Sequence, residues 1–363
     1  VRDRCGVKPL YVSEAPGFMC FSSEVKALIA MGADPGAPDP ESLGRYLSFL
    51  WCPGNGMPTR ALRKLGPGEA MTLRAGAAVT RWRWFRRDTV RPGKSDKSPE
   101  DLTADLRTRL EEAVQRQLVS DVPVGTFLSG GLDSSLIAAL ARRSLPALPS
   151  FTIDTSDAGS DGVTSDLPYA RKVADHLGID LNVVSVSPND TIDALKSMVV
   201  SLDEPLADPA AVNVLFISQL ARRNGIKVLL SGTGGDDLFT GYRRHLVVNM
   251  RRYWTWIPAP VRRAISRSAS VMDRRNPAFR RIAKVLGTVG HNGDDALIGF
   301  FRWLGDEDVL ALLAPDLRSM LATADFAQPM RGHLDEIPAT ADDIERMLTL
   351  EQRFFLSDHN LVY

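Results

Sequence analysis

Phe127-Leu128-Ser129-Gly130-Gly131-Leu132-Asp133-Ser134-Ser135 is the stretch on which the fold turns. It completes the short apolar run Pro123–Leu128 and leads into the helical pattern Asp133–Arg143, a strand–loop–helix junction. The first amides of a helix have no partner inside it, and the helix dipole adds to their attraction for an anion. Gly130 and Gly131 allow a close backbone approach and conformations that a Cβ forbids. Ser129, Ser134 and Ser135 add hydroxyl donors. Asp133 would repel a phosphate unless a cation lay between them, and Mg2+, which takes one or two carboxylates together with phosphate oxygens, is the natural mediator. The lysine that marks a Walker loop is not in the stretch. A serine-capped helix after a glycine turn, with no ligand, would use some of the same residues. Ser-Gly-Gly-Leu-Asp-Ser-Ser in this setting is far more specific than a bare Gly-Gly pair.

The pattern extends outward from that loop. Asp101–Leu118 carries Leu102, Leu106, Leu110, Ala113 and Val114 on one helical face. Strand-like Phe151–Ile153 is followed by a helix over Leu167–Leu177, strand-like Leu181–Val186 by a helix over Thr191–Val200, and the helical stretch Ala210–Arg223 by strand-like Lys227–Leu230. This alternation predicts an α/β fold with a doubly wound parallel sheet covered on both faces. Beyond Tyr242 the chain reads as a helical extension broken by Pro258, Pro260, Pro277, Pro315, Pro329 and Pro338. Residues 1–88 read instead as β-rich, with strands at Pro9–Val12, Gly17–Ser22 and Ala70–Leu73 and helices at Glu24–Met31 and Pro40–Leu50. The polar stretch 89–100 reads as a linker, so residues 101–363 form the second domain.

A second glycine-rich strand end follows Lys227–Leu230: Ser231-Gly232-Thr233-Gly234-Gly235-Asp236-Asp237, then Leu238–Tyr242. Two such loops at the C-terminal ends of parallel strands face one crevice, where α/β sheets bind nucleotides. Asp236 then shares Mg2+ with Asp133. Taken alone, Asp236 and Asp237 would be first-turn residues offsetting a helix dipole.

The chain has 363 residues, with 44 Lys+Arg balanced by 44 Asp+Glu, and it is 44% hydrophobic. That composition excludes a disordered tail, a collagenous repeat and a disulfide-stapled mini-protein. No apolar run approaches the ~20 residues of a membrane-spanning helix. Cys5, Cys20 and Cys52 fit neither a zinc site nor a secreted framework, which points to a reducing, cytoplasmic setting and to thiols packed in core clusters. The histidines show no metal-ligand spacing. Between Tyr242 and Lys284 there are 12 Lys/Arg and a single acid, Asp273. A nucleic-acid surface would look like this, as would a solvated helical face with Tyr253, Trp254 and Trp256 packed inward.

The first loop resembles the pyrophosphate-binding loop of the ATP-pyrophosphatase enzymes. The chain as a whole resembles one branch of them, the glutamine-hydrolysing asparagine synthetases. Val1–Val12 with Phe21–Leu28 is similar to the closing strands of that family's N-terminal glutaminase domain, and Leu65–Glu69 to a Leu-Pro-Pro-Gly-His turn near its end. Phe151–Asp154, Tyr169–Gly178, Asp203–Pro209 and Ser231–Tyr242 also fit. The resemblance implies that Leu128, Ile153, Ser231 and Gly232 lie against ATP, the first two near the nucleoside. It also implies acyl-adenylate formation at Asp133, Asp236 and Asp237, with aspartate, ATP and glutamine or ammonia as small-molecule partners. Neither nucleic acid nor membrane is expected as a partner, and a homodimer is compatible. The family usually carries Glu where this chain has Thr233, next to Gly234, and a hydroxyl cannot serve as a general base at neutral pH. Asp236 or Asp237 then takes that role, or the carboxylate acceptor is not free aspartate. Leu356–Tyr363 is similar to the lead-in to the family's late lysine segment, and Cys5 falls among closing strands, so the resemblance implies a chain truncated at both ends.

Overall fold

The computed structural model describes residues 1–15, 17–74, 78–86, 96–155, 166–253 and 293–363, with scattered residues between 256 and 290. Two compact units are present. One comprises residues 1–91, 202–208 and 236–362; the other comprises 92–201 and 209–235, with Tyr363.

The second unit is the expected α/β layer. Strands β6 (Val124–Phe127), β7 (Ser150–Asp154), β8 (Leu181–Ser185) and β9 (Val228–Leu230) form an all-parallel sheet in the order β8-β7-β6-β9. Side chains alternate across the strands. Leu230 packs with Val124, Leu140, Ala141 and Val114, whereas Leu229 joins Phe151, Ile217, Ala221 and Ile226. Helices α3 (Pro99–Gln117), α4 (Leu132–Ser144), α5 (Leu167–Leu177), α6 (Pro188–Ser201) and α7 (Ala210–Arg223) complete the layer. A hydroxyl pair inside the sheet, Thr126 Oγ1 to Ser150 Oγ at 2.9 Å, satisfies two buried polar groups on neighbouring strands. The chain leaves β6 towards β7 and β8, then returns to place β9 on the other side of β6. The C-terminal ends of β6 and β9 therefore flank the point where strand order reverses, the usual crevice of an open α/β sheet.

The expected linker differs at its end. Pro99 and Glu100 are already helical, because Ser98 caps α3 by accepting from the Asp101 N–H at 3.1 Å and proline suits a first helical position. Residues 89–95 lie outside the described residues.

In the other unit, β1 (Tyr11–Ala15) pairs antiparallel with β2 (Phe18–Ser22) and with β3 (Leu62–Lys64). A separate ladder joins β4 (Glu69–Thr72) to β5 (Thr80–Arg83). Helices α1 (Val25–Ala30) and α2 (Pro40–Phe49) match the apolar spacing, and Asp39 caps α2 through the Ser42 N–H at 3.1 Å. Two strands escaped the sequence reading. β3 is three residues long, and β5 reads Thr-Arg-Trp-Arg with all four residues exposed.

After the five-residue α8 (Gly235–Phe239) and α9 (Arg243–Met250), helices recur at Gly293–Ile298, Asp306–Leu312, Pro315–Met320, Gln328–Asp335 and Asp343–Leu350. The last continues into a wider, i→i+5 helix over Glu351–Asn360. Pro315 and Pro329 stand in first turns, so they start helices rather than break them.

The segment 202–208 belongs to this unit through buried polar bonds. Lys64 Nζ donates to Glu204 Oε2 at 2.7 Å and to the Cys52 carbonyl at 3.0 Å, and lies 3.7 Å from Asp358 Oδ1. The Tyr11 hydroxyl donates to Glu204 Oε1 at 2.9 Å. Burial works against the Lys64 ammonium, but the charges of Asp358 and Glu204 hold its pKa above the ordinary value. Asp208 lies 3.1 Å from His359 Nε2, and Pro209 takes the cap position of the helix at Ala210. Cys20 and Cys52 are buried thiols, whereas Cys5 is exposed, contrary to the expectation that all three pack inside.

Candidate nucleotide site

The two glycine-rich strand ends meet. Gly232 sits against the first turn of α4, so close that a Cβ there would lie 2.5 Å from the Ser134 nitrogen and 2.8 Å from the Asp133 carbonyl carbon. Gly235 lies directly against the Asp133 carboxylate. Asp133 therefore stands beside the residue that precedes Asp236 in the chain. Gly130 meets two demands at once. Its φ of +77° belongs to the left-handed region, and a Cβ would lie 2.5–2.6 Å from Tyr169 at the start of α5.

The serines of the first loop act on the loop itself. Ser129 Oγ lies 2.9 Å from Ser134 Oγ and accepts from the Gly131 N–H at 3.3 Å, while Ser134 Oγ accepts from the Ser129 N–H at 3.3 Å. They were expected as hydroxyl donors to a ligand. In the structure they brace the turn, because hydroxyls two to five residues from a loop amide reach it more readily than a distant partner. Gly131 and Leu132 at the loop mouth are exposed, so the helix N-terminus opens to solvent. Ser135 is half-buried on α4, its N–H bonded to the Gly131 carbonyl at 3.1 Å.

Leu128 is completely buried among Ala138, Ala170 and Ala174, the floor beneath the loop. Ile153 is half-buried at the end of β7. In the second loop Ser231 and Thr233 are exposed and bonded to each other, Oγ to Oγ1 at 2.7 Å. Gly234 is buried with φ +100°.

Asp236 and Asp237 have opposite surroundings. Asp236 is half-buried, its carboxylate packed on Gly241, where no side chain intervenes. Asp237 is fully buried. Its Oδ2 accepts from the Tyr242 hydroxyl at 3.3 Å and from Asn360 Nδ2 at 3.4 Å, and its backbone carbonyl accepts from Gln352 Nε2 at 2.9 Å. Burial first, then the negative charge of Glu351, pushes its pKa up to about 6 against the pull of Arg244. A role for Asp237 as a group touching substrate does not fit a carboxylate closed inside the unit. Tyr242, Gln352 and Asn360 were missed as members of this cluster; two of them follow Asp237 by more than a hundred residues.

Among the described residues no cluster of three or more His, Cys, Asp or Glu forms a metal cage. The carboxylates of Asp133 and Asp236 are hard oxygen donors, the kind that Mg2+ takes. No described helix is long and apolar enough to cross a membrane. Most of the basic stretch 242–284 lies outside the described residues. Within what is described, Arg244 is stacked over Tyr242 at 4.0 Å and Phe355 at 4.4 Å, and Arg251 pairs with Asp343 at 3.1 Å. Tyr253 and Trp256 are exposed rather than packed inward.

Residues 105–363 match the family described as asparagine synthase, and residues 1–84 match the glutamine amidotransferase domain. The chain is 32% identical over 271 residues to asparagine synthetase [glutamine-hydrolyzing] 1 of Bacillus subtilis, covering 75% of this chain and 42% of that protein. Asparagine synthetase B [glutamine-hydrolyzing] of Escherichia coli is 27% identical over 260 residues, which cover 66% of this chain and 40% of that one. Amidase chyE of Penicillium rubens is 28% identical over 260 residues, covering 66% and 37%. The chain thus spans about two fifths of the length of these relatives. With a family match over more than two thirds of its length, the chain belongs to the asparagine synthase family.

Proposed function

We propose that the complete protein is an ATP-dependent, AMP-forming amide ligase that uses glutamine-derived ammonia, with aspartate as the carboxylate substrate. In the first step a substrate carboxylate oxygen attacks the α-phosphorus of ATP, the bond to the β-phosphate oxygen breaks, and pyrophosphate leaves. In the second, ammonia attacks the acyl carbon of the acyl-adenylate, AMP departs with the bonding electrons, and the surplus proton passes to solvent. The observation that carries this reading is the meeting of two glycine-lined strand ends at Asp133, at the reversal point of a parallel sheet. The open N-terminus of α4 would receive pyrophosphate oxygens, and the braced turn Ser129–Gly131 would hold the amides in place without reorganisation. Asp133 and Asp236 would hold Mg2+, which neutralises charge on the departing pyrophosphate. Residues 1–84 would supply part of the glutaminase that generates ammonia.

Thr233 supports a second reading, in which the carboxylate belongs to a different molecule. Its hydroxyl is bonded to Ser231 and cannot act as a base. The similarity to a fungal amidase is consistent with this alternative. Full-length protein incubated with MgATP, glutamine and aspartate separates the two. Asparagine together with stoichiometric pyrophosphate supports the first. Pyrophosphate release restored only by another carboxylate supports the second, and ATP binding without pyrophosphate release from any carboxylate overturns both.

A further inference from the structure

The segment that follows the second loop is held from a distance. Asp237 is clasped by three groups: the Tyr242 hydroxyl, the Asn360 amide and, at its backbone carbonyl, Gln352. Asn360 Nδ2 also reaches the Tyr242 hydroxyl at 3.2 Å, closing a triangle. Gln352 and Asn360 both lie on the helix Glu351–Asn360. The same element is itself pinned by the residues between them: Asp358 Oδ2 accepts from the Gly54 N–H at 2.8 Å, and Arg353 Nη2 donates to Asn55 Oδ1 at 3.0 Å. Asp358 also stands beside Lys64. The helix is thus anchored in the N-terminal strand region and reaches from there to Asp237, the neighbour of Asp236.

We propose that Asn360 and Gln352 are positioning residues that act through Asp237 to fix Asp236, making the Glu351–Asn360 helix a strut between residues 52–64 and the turn 236–242. The inference rests on the reading of Asp236 as a cation-holding carboxylate. Its structural half stands without that reading. The charged and titratable groups around Asp237 are Asp236 beside it, Tyr242, Arg244 from α9, and Glu351 from the strut; His245 Nε2 faces Glu351 at 2.9 Å. A carboxylate placed at 360 removes the amide donor from which Asp237 Oδ2 accepts.

The test uses the full-length protein with Asn360→Asp, the exchange pair Asp237→Asn with Asn360→Asp, and Tyr242→Phe. Two readouts are taken: amide hydrogen exchange over 236–242 without substrates, and pyrophosphate release with MgATP, glutamine and aspartate. Asn360→Asp is expected to lose exchange protection at pH 8. Its kcat should fall about tenfold or more, with KM for MgATP within about threefold. The exchange pair restores a donor opposite an acceptor and should return both readouts to within about threefold of the parent protein. Tyr242→Phe adds no charge and should speed exchange in the same segment, which keeps the test open if Asn360→Asp fails to fold. Parent-like exchange in Asn360→Asp and Tyr242→Phe, or a loss that the exchange pair does not repair, overturns the proposal. If the unmodified protein releases no pyrophosphate, the functional reading fails, and exchange protection alone decides the strut.

Discussion

The two glycine-rich loops are built by different means. The first is self-contained: Ser129, Gly131 and Ser134 bond one another within six residues, and Leu128 anchors the turn in the core beneath. The second continues into a segment that takes its rigidity from elsewhere, since Asp237 is held by residues 115 and 123 positions later. Local bonds form with the helix they brace, whereas remote ones need the whole unit folded first. The lesson is that the first loop is robust to changes far away in the chain, while the turn 236–242 is exposed to them.

The sharpest way to break that contrast is Gly130→Ala. A Cβ would require an unfavourable left-handed backbone and collide with Tyr169 and Ala170, so the turn cannot keep its shape. Nucleotide-dependent pyrophosphate release should fall by about a hundredfold or more, as measured by a coupled assay on full-length protein. A variant retaining a tenth of the activity would show that this turn does not shape the site.

Lys64→Met probes the remote support. Glu204 and Asp358 are buried beside Lys64, and removing the cation leaves two carboxylates without it. Breaking a buried ion cluster costs about 3–5 kcal/mol, which urea unfolding would detect as a lower midpoint. An unchanged midpoint would show that the cluster is not a support.

A third measurement concerns Asp237. Its carboxyl has a pKa of about 6 in the fold against an ordinary 3.8, so the folded state holds the proton more tightly than the unfolded chain. Stability from this group is therefore greatest when the carboxyl is protonated and declines as pH rises from about 4 through 6, by ~3 kcal/mol at most as an order of magnitude. Asp237→Asn should lack that decline when the two proteins' denaturant midpoints are compared between pH 4 and 8. Parallel curves would show that Asp237 does not feel its burial.

The smallest effect should come from Ser129→Ala. Two internal bonds are lost at a half-exposed turn, each worth about 1 kcal/mol, and the bond from the Ser129 N–H to Ser134 Oγ remains. Thermal melting should shift by a few degrees at most, with ATP binding weakened far less than by Gly130→Ala.

The contrast also explains what could be read in advance. Strands β6 to β9 and the helices between them were legible because each carries its own apolar period, and loop glycines stand out where a strand becomes a helix. Asp133 was legible as the odd acid in such a loop. The burial of Asp237 was not, because the adjacent pair Asp236-Asp237 is the same on paper whichever side chain turns inward. Beside Tyr242, the groups that hold Asp237 are Gln352 and Asn360, far along the chain. Nothing local in the sequence marks Lys64 as buried, since its partners Glu204 and Asp358 lie 140 and 294 positions away. Leu128 belongs to a motif that marks a ligand loop, yet an apolar side chain at the end of a central strand is drawn into the core.

One unit of this protein is assembled from three separate pieces of chain, 1–91, 202–208 and 236–362. Its edges in space are consequently not edges in the gene. Trimming the coding sequence at the apparent linker would remove Lys64 and Tyr11, leaving buried Glu204 without these two partners and Asp358 with Arg353, 3.6 Å away, in place of Lys64. Anyone seeking a minimal expressible catalytic half should repair those positions with apolar residues before cutting, since no single pair of endpoints isolates either unit.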